Sequence, residues 1–458
     1  MQESGDGNPL NPCEECSPDL SVTEWSAVPA GVNCDDGDDC TEADTCVAGA
    51  CLGTTIECST VSNGTSECRG GTCILVCNTG YHDCADLCVS NTAVDTCGTR
   101  CDPCTAPTNA IPSCDGMGCS FSCQGAFTGT NCETPRFQAV PLPVGFISST
   151  GAATSVDGQV VVGAMTSLTI TRAYRWVLAA AAAADLGIPV GATTSSATVT
   201  NTDGQVVAGT SDAAGWIWSA LQPTLQTPMG FPNEALSMSA NGGTVVGRNG
   251  AQQYLVWRAT AGPGVIPAGA QTLPLGNLDL ALPVAVSGNG LTFVGYGRAA
   301  DNPGGNNGVW WTTSNTILGP QELPIAMNVD NGSDTVGEMA AAVSGDGAVV
   351  VGFDSTVFSG PPGRLWSGDN FSLLELLSFR AGDVNQDGSV IIGFDPVTAE
   401  PVIWDGQAQA IPSLLISLGV DLTGWILSSA NSLSGDGKTI VGDGTLNGVS
   451  RAWIARLP

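Results

Sequence analysis

At 458 residues the chain has room for about three ordinary domains, although one large repeat fold absorbs as much. Its 43 acidic side chains face only 13 basic ones, a net charge of −30, which argues against nucleic acid and anionic membrane surfaces as partners. All 19 cysteines lie between Cys13 and Cys132, a density that excludes a reducing compartment unless they hold metal. The chain opens on Met1-Gln-Glu-Ser-Gly-Asp-Gly-Asn-Pro9, which has neither the basic nor the apolar part of a secretory leader. The cysteines still require export, so a leader is expected to have preceded this numbering. Residues 1–33 read as a polar tether. No apolar run reaches the 18 residues of a membrane helix; the longest, Trp176 to Ala184, stops at Asp185 and reads as a short helix or loop.

Residues 34–134 read as disulfide-rich modules. Zinc would want paired CxxC or histidine ligands. CxxC occurs at Cys13–Cys16 and Cys101–Cys104, far apart, and His82 is the only histidine. Disulfides are the simpler reading. Cys58, Cys68, Cys73 and Cys77 recur as Cys104, Cys114, Cys119 and Cys123, each 46 residues on, which marks a partial duplication. The odd total leaves one thiol, expected in the truncated last module. Ahead of both copies, Cys34 to Cys51 encloses Asp35, Asp36, Asp38 and Asp39. Closely spaced carboxylates suit calcium, but a solvated acidic turn pinned by two cysteines is the favoured reading.

These modules resemble short cysteine-rich units (CDDGxxCTxxDxC) of bacterial surface proteins, which implies a stalk or spacer. The opening of the chain is similar to the tether behind the lipidated cysteine of bacterial lipoproteins, which implies a lipid anchor at a processed N-terminus.

Residues 135–458 repeat one pattern: Ser/Asn-x-Asp/Asn-Gly, two residues, two apolar residues, Gly, then a tryptophan. The turn glycines are Gly158, Gly204, Gly242, Gly290, Gly347, Gly388 and Gly437, and a second glycine follows each after five positions. Asp-Gly and Asn-Gly accept the positive φ of a tight hairpin, and the serine or asparagine can lock it by bonding local backbone. The pairs Val161-Val162, Val350-Val351 and Ile391-Ile392 read as short buried strands. The tryptophans expected to close the units are Trp176, Trp218, Trp257, Trp311, Trp366, Trp404 and Trp453. A Leu/Pro stretch such as Leu186–Pro189 or Leu323–Ile325 would add a fourth strand. Four strands and 38 to 57 residues per unit predict an all-β, seven-bladed β-propeller behind a loop-dominated stalk, with a parallel β-helix as the rival. The seventh unit ends soon after Trp453, so Phe137–Pro143 is expected to supply its outer strand.

The unit Ala342-Val-Ser-Gly-Asp-Gly-Ala-Val-Val-Val-Gly352 resembles the HAF repeats of bacterial extracellular proteins, over roughly residues 137–458. The resemblance implies a fold and an extracellular setting and very little more, since that family has no established enzymatic activity.

The chemistry-bearing inventory is thin. Asp383-Val-Asn385-Gln-Asp387-Gly388 matches half of a calcium loop, but Phe394 stands at the chelating twelfth position. No histidine or cysteine lies in the propeller, which removes Ser-His, Cys-His and His-metal chemistry there. A carboxylate pair remains open to a glycosidase, and Tyr174, Tyr254 or Tyr296 with Arg298 to a lyase. The inventory favours a secreted or surface-tethered binding protein without a cofactor. Its propeller loops would meet a glycan or protein ligand. A carbohydrate-active enzyme and a structural coat or filament subunit are the alternatives.

Overall fold

In every repeat the turn glycine takes the left-handed conformation, with φ between +67° and +83°, and reverses the chain into a hairpin. The computed structural model describes residues 4–21, 23–228, 231–249, 254–258, 270–271, 278–299, 307–312, 321–322, 338–354, 362–367 and 372–458. These form two units, Met1–Gln124 and Gly125–Pro458. The boundary expected at 134/135 lies inside the second.

The first unit is a series of small antiparallel sheets. A three-stranded sheet of Gly7–Asn8, Asn11–Glu15 and Ser26–Ala27 occupies the stretch expected as a tether, which Cys13–Cys46 staples to the next hairpin. Hairpins follow at Thr41–Val47/Ala50–Thr55, Gly64–Arg69/Thr72–Cys77, Tyr81–Cys84/Leu87–Ser90 and Ala110–Cys114/Cys119–Cys123. The second and fourth of these are the two copies of the duplication, and Cys58–Cys73 and Cys104–Cys119 are its matching disulfides. Within hairpins Cys46 faces Cys51, Cys68 faces Cys73 and Cys114 faces Cys119, yet each bonds elsewhere. The first cysteine of each pair reaches back, to Cys13, Cys40 and Cys97, and the second to Cys34, Cys58 and Cys104. This stagger ties each module to the one before it.

It also relocates the odd cysteine. The thiol expected in the last module belongs instead to Cys16, since both Cys123 and Cys132 are disulfide-bonded. Backward reach leaves the remainder at the start of the series. Among the described residues, the only buried hydrophobic side chains of this unit are cysteines: Cys13, Cys46, Cys84, Cys88, Cys97 and Cys104. Cross-links stand in for an apolar core.

In the second unit, after a short hairpin of Phe127–Thr128 and Thr134–Pro135, the described strands form seven four-stranded antiparallel sheets. The blades span 148–187, 195–226, 234–271, 278–322, 338–377 and 380–410, and the seventh joins 425–456 to Phe137–Ala139. This is a seven-bladed propeller. The first strand of every blade carries a bulge, at Ala152, Thr198, Leu236, Val284, Ala341, Gly382 and Asn431. That bulge accounts for the second glycine of the repeat. A Cβ on Gly163, Gly209, Gly247, Gly295, Gly352, Gly393 or Gly442 would stand 1.9–2.2 Å from a carbonyl oxygen of the bulged strand.

Six of the expected tryptophans share one register, opposite the first residue of the repeat's apolar pair, as Trp176 opposes Val161 and Trp366 opposes Val350. Trp453 does not. It opposes Gly442, two positions earlier, which makes it the equivalent of Trp216 opposite Gly209. Both indole N–H groups donate to the carbonyl after that glycine, at Asp443 and Thr210. The glycine leaves the room a large ring needs. The alanine run forms no helix: Ala183 is buried, and Ala184–Gly187 is the fourth strand of blade 1. Leu323–Ile325 lies outside the described residues; the fourth strand there is Gln321–Glu322.

Phe137–Ala139 pairs antiparallel with the last strand, Phe137 with Ala455 and Ala139 with Trp453. The Phe137 ring packs edge-on to Trp425 at 5.0 Å and lies 6.0 Å from Trp453. Val140 is fully buried beside Val161 and Ile454. Chain start and chain end thus share one sheet, which removes an open edge. Removing 137–143 should lower the melting temperature and promote aggregation, and Phe137→Ala alone should cost about 2 kcal/mol, below the fully buried range. Thermal scans check both; a deletion variant that melts with the parent would reduce the segment to a linker.

Candidate functional site

A propeller offers a ligand its axial channel and the loops around it, so the turns that frame the channel come first. In each turn the serine or asparagine is buried: Ser155, Asn201, Ser239, Ser287, Ser344, Asn385 and Ser434. Its side-chain oxygen accepts the N–H five residues on, at 2.8–3.0 Å in all seven blades. The Asp or Asn two residues later accepts the N–H two positions beyond itself, at 2.8–3.1 Å. These bonds fix the residue between them, and its carbonyl joins a ring. Val156, Thr202, Ala240, Gly288, Gly345, Gln386 and Gly435 each accept a backbone N–H from the preceding blade at 2.8–3.2 Å, and Gly435 donating to Val156 completes the circle. The ring is crowded: a Cβ on Gly345 would meet the Gln386 side chain at 2.0 Å, and one on Gly435 the Val156 side chain at 2.5 Å.

Above the ring lies a channel of about 240 Å³, lined by the first strands of all seven blades. Most of the lining is small and apolar. Its carboxylate and amide side chains, Asp383, Asn385, Gln386 and Asn431, lie on blades 6 and 7, and only hydroxyl side chains add polarity elsewhere. Asp383 Oδ2 accepts the Leu433 N–H at 2.8 Å, and Oδ1 accepts the Val384 N–H at 2.8 Å. Ser432 accepts the Thr154 N–H at 3.2 Å. Asn431 donates to the Gly151 carbonyl at 2.7 Å and to Asp443 Oδ2 at 2.9 Å, while Asp443 Oδ1 accepts the Gly151 N–H at 2.8 Å. Each of these side chains joins one blade to the next. Burial pushes the Asp383 carboxyl up to about 6, against the bonds from Leu433 and Val384. Burial also raises Asp443.

The candidate residues are dispersed. Asp383, Asn385 and Asp387 form no calcium loop, because Asn385 holds the Val390 N–H and Asp387 the Ser389 N–H. Tyr174 is fully buried with its hydroxyl donating to the Thr150 carbonyl at 3.1 Å; burial, then the Asp443 charge, raises it and keeps it protonated. A lyase base needs the opposite. The side chains of Tyr254 and Arg298 lie outside the described residues, and Tyr296 is half-buried.

In the first unit Asp35 and Asp36 converge with Asp44, their oxygens within 4.8 Å of one another, whereas Asp38 and Asp39 belong to no such group among the described residues. Asp36 accepts the Asp38 N–H and the Thr41 hydroxyl through Oδ1 and the Gly53 N–H through Oδ2, and the first two chiefly hold its carboxyl low. Asp35 accepts the Gly37 N–H, and Asp38 the Cys40 N–H. The loop's own backbone thus engages these carboxylates.

No family model and no curated protein matches the chain. Among solved structures, an oligogalacturonate lyase in complex with manganese is 11% identical, over 70% of this chain and 96% of its own, with a TM-score of 0.43. The oligogalacturonate lyase of Vibrio parahaemolyticus is 10% identical, over 70% and 93%, at 0.46. The β-propeller domain of Myceliophteria thermophila Cps50 (Swd1) is 9% identical, over 69% and 98%, at 0.44. Likenesses this remote bear on neither substrate nor activity.

The raised carboxyl of Asp383 has a measurable sign. With a folded value of about 6 against an ordinary 3.8, the protonated form favours the fold, so its contribution is complete below 3.8 and lost as pH rises through 6. Wild-type stability relative to Asp383→Asn should therefore fall by on the order of 1–3 kcal/mol between pH 4 and 7. Denaturant titrations of both proteins across that range measure it; a difference independent of pH contradicts the assignment.

Proposed function

We infer that the protein is a secreted or surface-tethered, non-catalytic binding protein, in which the disulfide-rich unit serves as stalk and one face of the propeller receives a glycan or protein ligand. The observation that carries this reading is the unequal treatment of the two propeller faces. In an antiparallel four-stranded blade the first and third turns fall at one end, and the second turn and the connection to the next blade fall at the other. The first end holds the repeated, ring-bonded turns. Among the described residues, only the turn between third and fourth strands changes length at that first end, from 220–221 in blade 2 to 178–183 in blade 1. At the second end the connections to the next blade run from 378–379 to 411–424. Loops of varied length on a rigid scaffold are where recognition concentrates.

That variable end also exposes large apolar side chains: Val144 at 104%, Leu168 at 89%, Val190 at 101% and Val397 at 86% of full accessibility. The nine disulfides formed between Cys13 and Cys132 fit an oxidising, extracellular setting. The likeness to HAF repeats rests on the turn and apolar residues of units such as Ala342–Gly352 and accords with this reading.

A carbohydrate-active enzyme draws support from two raised carboxylates, Asp383 in the channel wall and Asp443 behind it on the second strand of blade 7. Their structural bonds between blades account for both. A glycan and peptide array probed with the full chain, followed by product analysis of each hit, separates the readings. Retention of an intact ligand is expected, weakened about tenfold by Val190→Asp or Val397→Asp through lost apolar contact. Leu221→Asp, in the turn at the opposite end, should leave it unchanged. Shortened or modified ligand would overturn the non-catalytic reading.

A further inference from the structure

The chain's only histidine lies against a disulfide. His82, in the strand Tyr81–Cys84, has Nε2 at 2.9 Å from the Arg100 carbonyl and 3.2 Å from Cys84 Sγ. A carbonyl only accepts, so Nε2 carries the proton, and its N–H faces the Cys84 sulfur as well. The other ring nitrogen, Nδ1, lies 2.8 Å from Asn91 Oδ1, an amide oxygen that also accepts. Cys84 is bonded to Cys101, and the two sulfurs differ in access: Cys84 is buried and Cys101 is exposed.

We propose that Cys84–Cys101 is a redox-active disulfide, opened by an external thiol or dithiol at Cys101 with His82 assisting departure of the Cys84 thiolate. An incoming thiolate attacks Cys101 Sγ and forms a mixed disulfide with it. The Cys84–Cys101 bond breaks, and its electron pair leaves on Cys84 Sγ, where the His82 Nε2–H receives it. The second thiolate of a dithiol then attacks the mixed disulfide and releases Cys101 as a thiolate. The dithiol becomes a disulfide, and its two electrons have reduced the cystine. Exchange is faster when the leaving thiolate is stabilised, and a positioned N–H donor or imidazolium supplies that. The charged side chains on the neighbouring segments are Asp83 and Asp86 on the hairpin, with Arg100 and Asp102 on the loop across from it. Asp83 is engaged by the Asp86 N–H.

The molecule contains its own controls. Cys58–Cys73 and Cys104–Cys119 also pair a less accessible sulfur with an exposed one, Cys73 and Cys119, and have no histidine. Exposure alone therefore predicts three equally reactive bonds, and the histidine singles out one.

The test is limited reduction of the full chain with a dithiol or a phosphine, quenched by alkylation and mapped by mass spectrometry. Cys84–Cys101 should open about tenfold faster than either control, and His82→Gln should bring it down to their rate. If that variant does not assemble its disulfides, the wild-type rates decide, since all three bonds are compared within one molecule. Equal rates for the three bonds, or a variant in which Cys84–Cys101 opens as fast as in wild type, would each overturn the proposal.

Discussion

A serine hydroxyl or asparagine amide accepting the backbone N–H five residues on is the interaction from which the propeller is built. It recurs in all seven blades with the donor of the bond at the start of the second strand. Burying that side chain is tolerable only because it is bonded; an unpartnered buried hydroxyl or amide costs about 1–3 kcal/mol. Once the turn is locked, the residue after the serine points its carbonyl at the preceding blade. The ring of seven inter-blade bonds follows from seven copies of one local conformation. Ring closure then needs only the last blade to be complete, which Phe137–Ala139 ensures.

Much of this was legible because it is local. Asp-Gly and Asn-Gly steps state a turn, and paired apolar residues after them state a strand. A seventh unit short of a strand states where the missing strand must come from. Features that arise between strands were not legible. The second glycine was visible as a spacing, but its reason, a bulged neighbour whose carbonyl fills the space of a Cβ, exists only in the sheet. Trp453 was grouped with the other tryptophans because sequence distance hides a two-residue change of register. Asp383 was read as part of a calcium-loop pattern, and only the fold shows it bridging blades 6 and 7. The position of the odd thiol depended on the stagger of the disulfides, which cysteine spacing does not determine.

The two units meet the same problem with different means. The propeller buries Trp176, Trp216, Trp257, Trp366 and Trp453 between its sheets and needs no cross-link. The first unit buries cysteines and little else, so its order rests on covalent bonds that a reductant can open. A change in redox conditions would therefore act on the first unit and leave the propeller folded.

The central claim is that the ring of turns opens only when the whole propeller unfolds. Native-state hydrogen exchange on the full chain measures this at the amides that close it, Asp157, Thr202, Ala240, Asn289, Asp346, Gln386 and Gly435. The account predicts that all seven share one opening free energy, equal to that of global unfolding. Amides that exchange blade by blade, with several opening well below the global value, would contradict it.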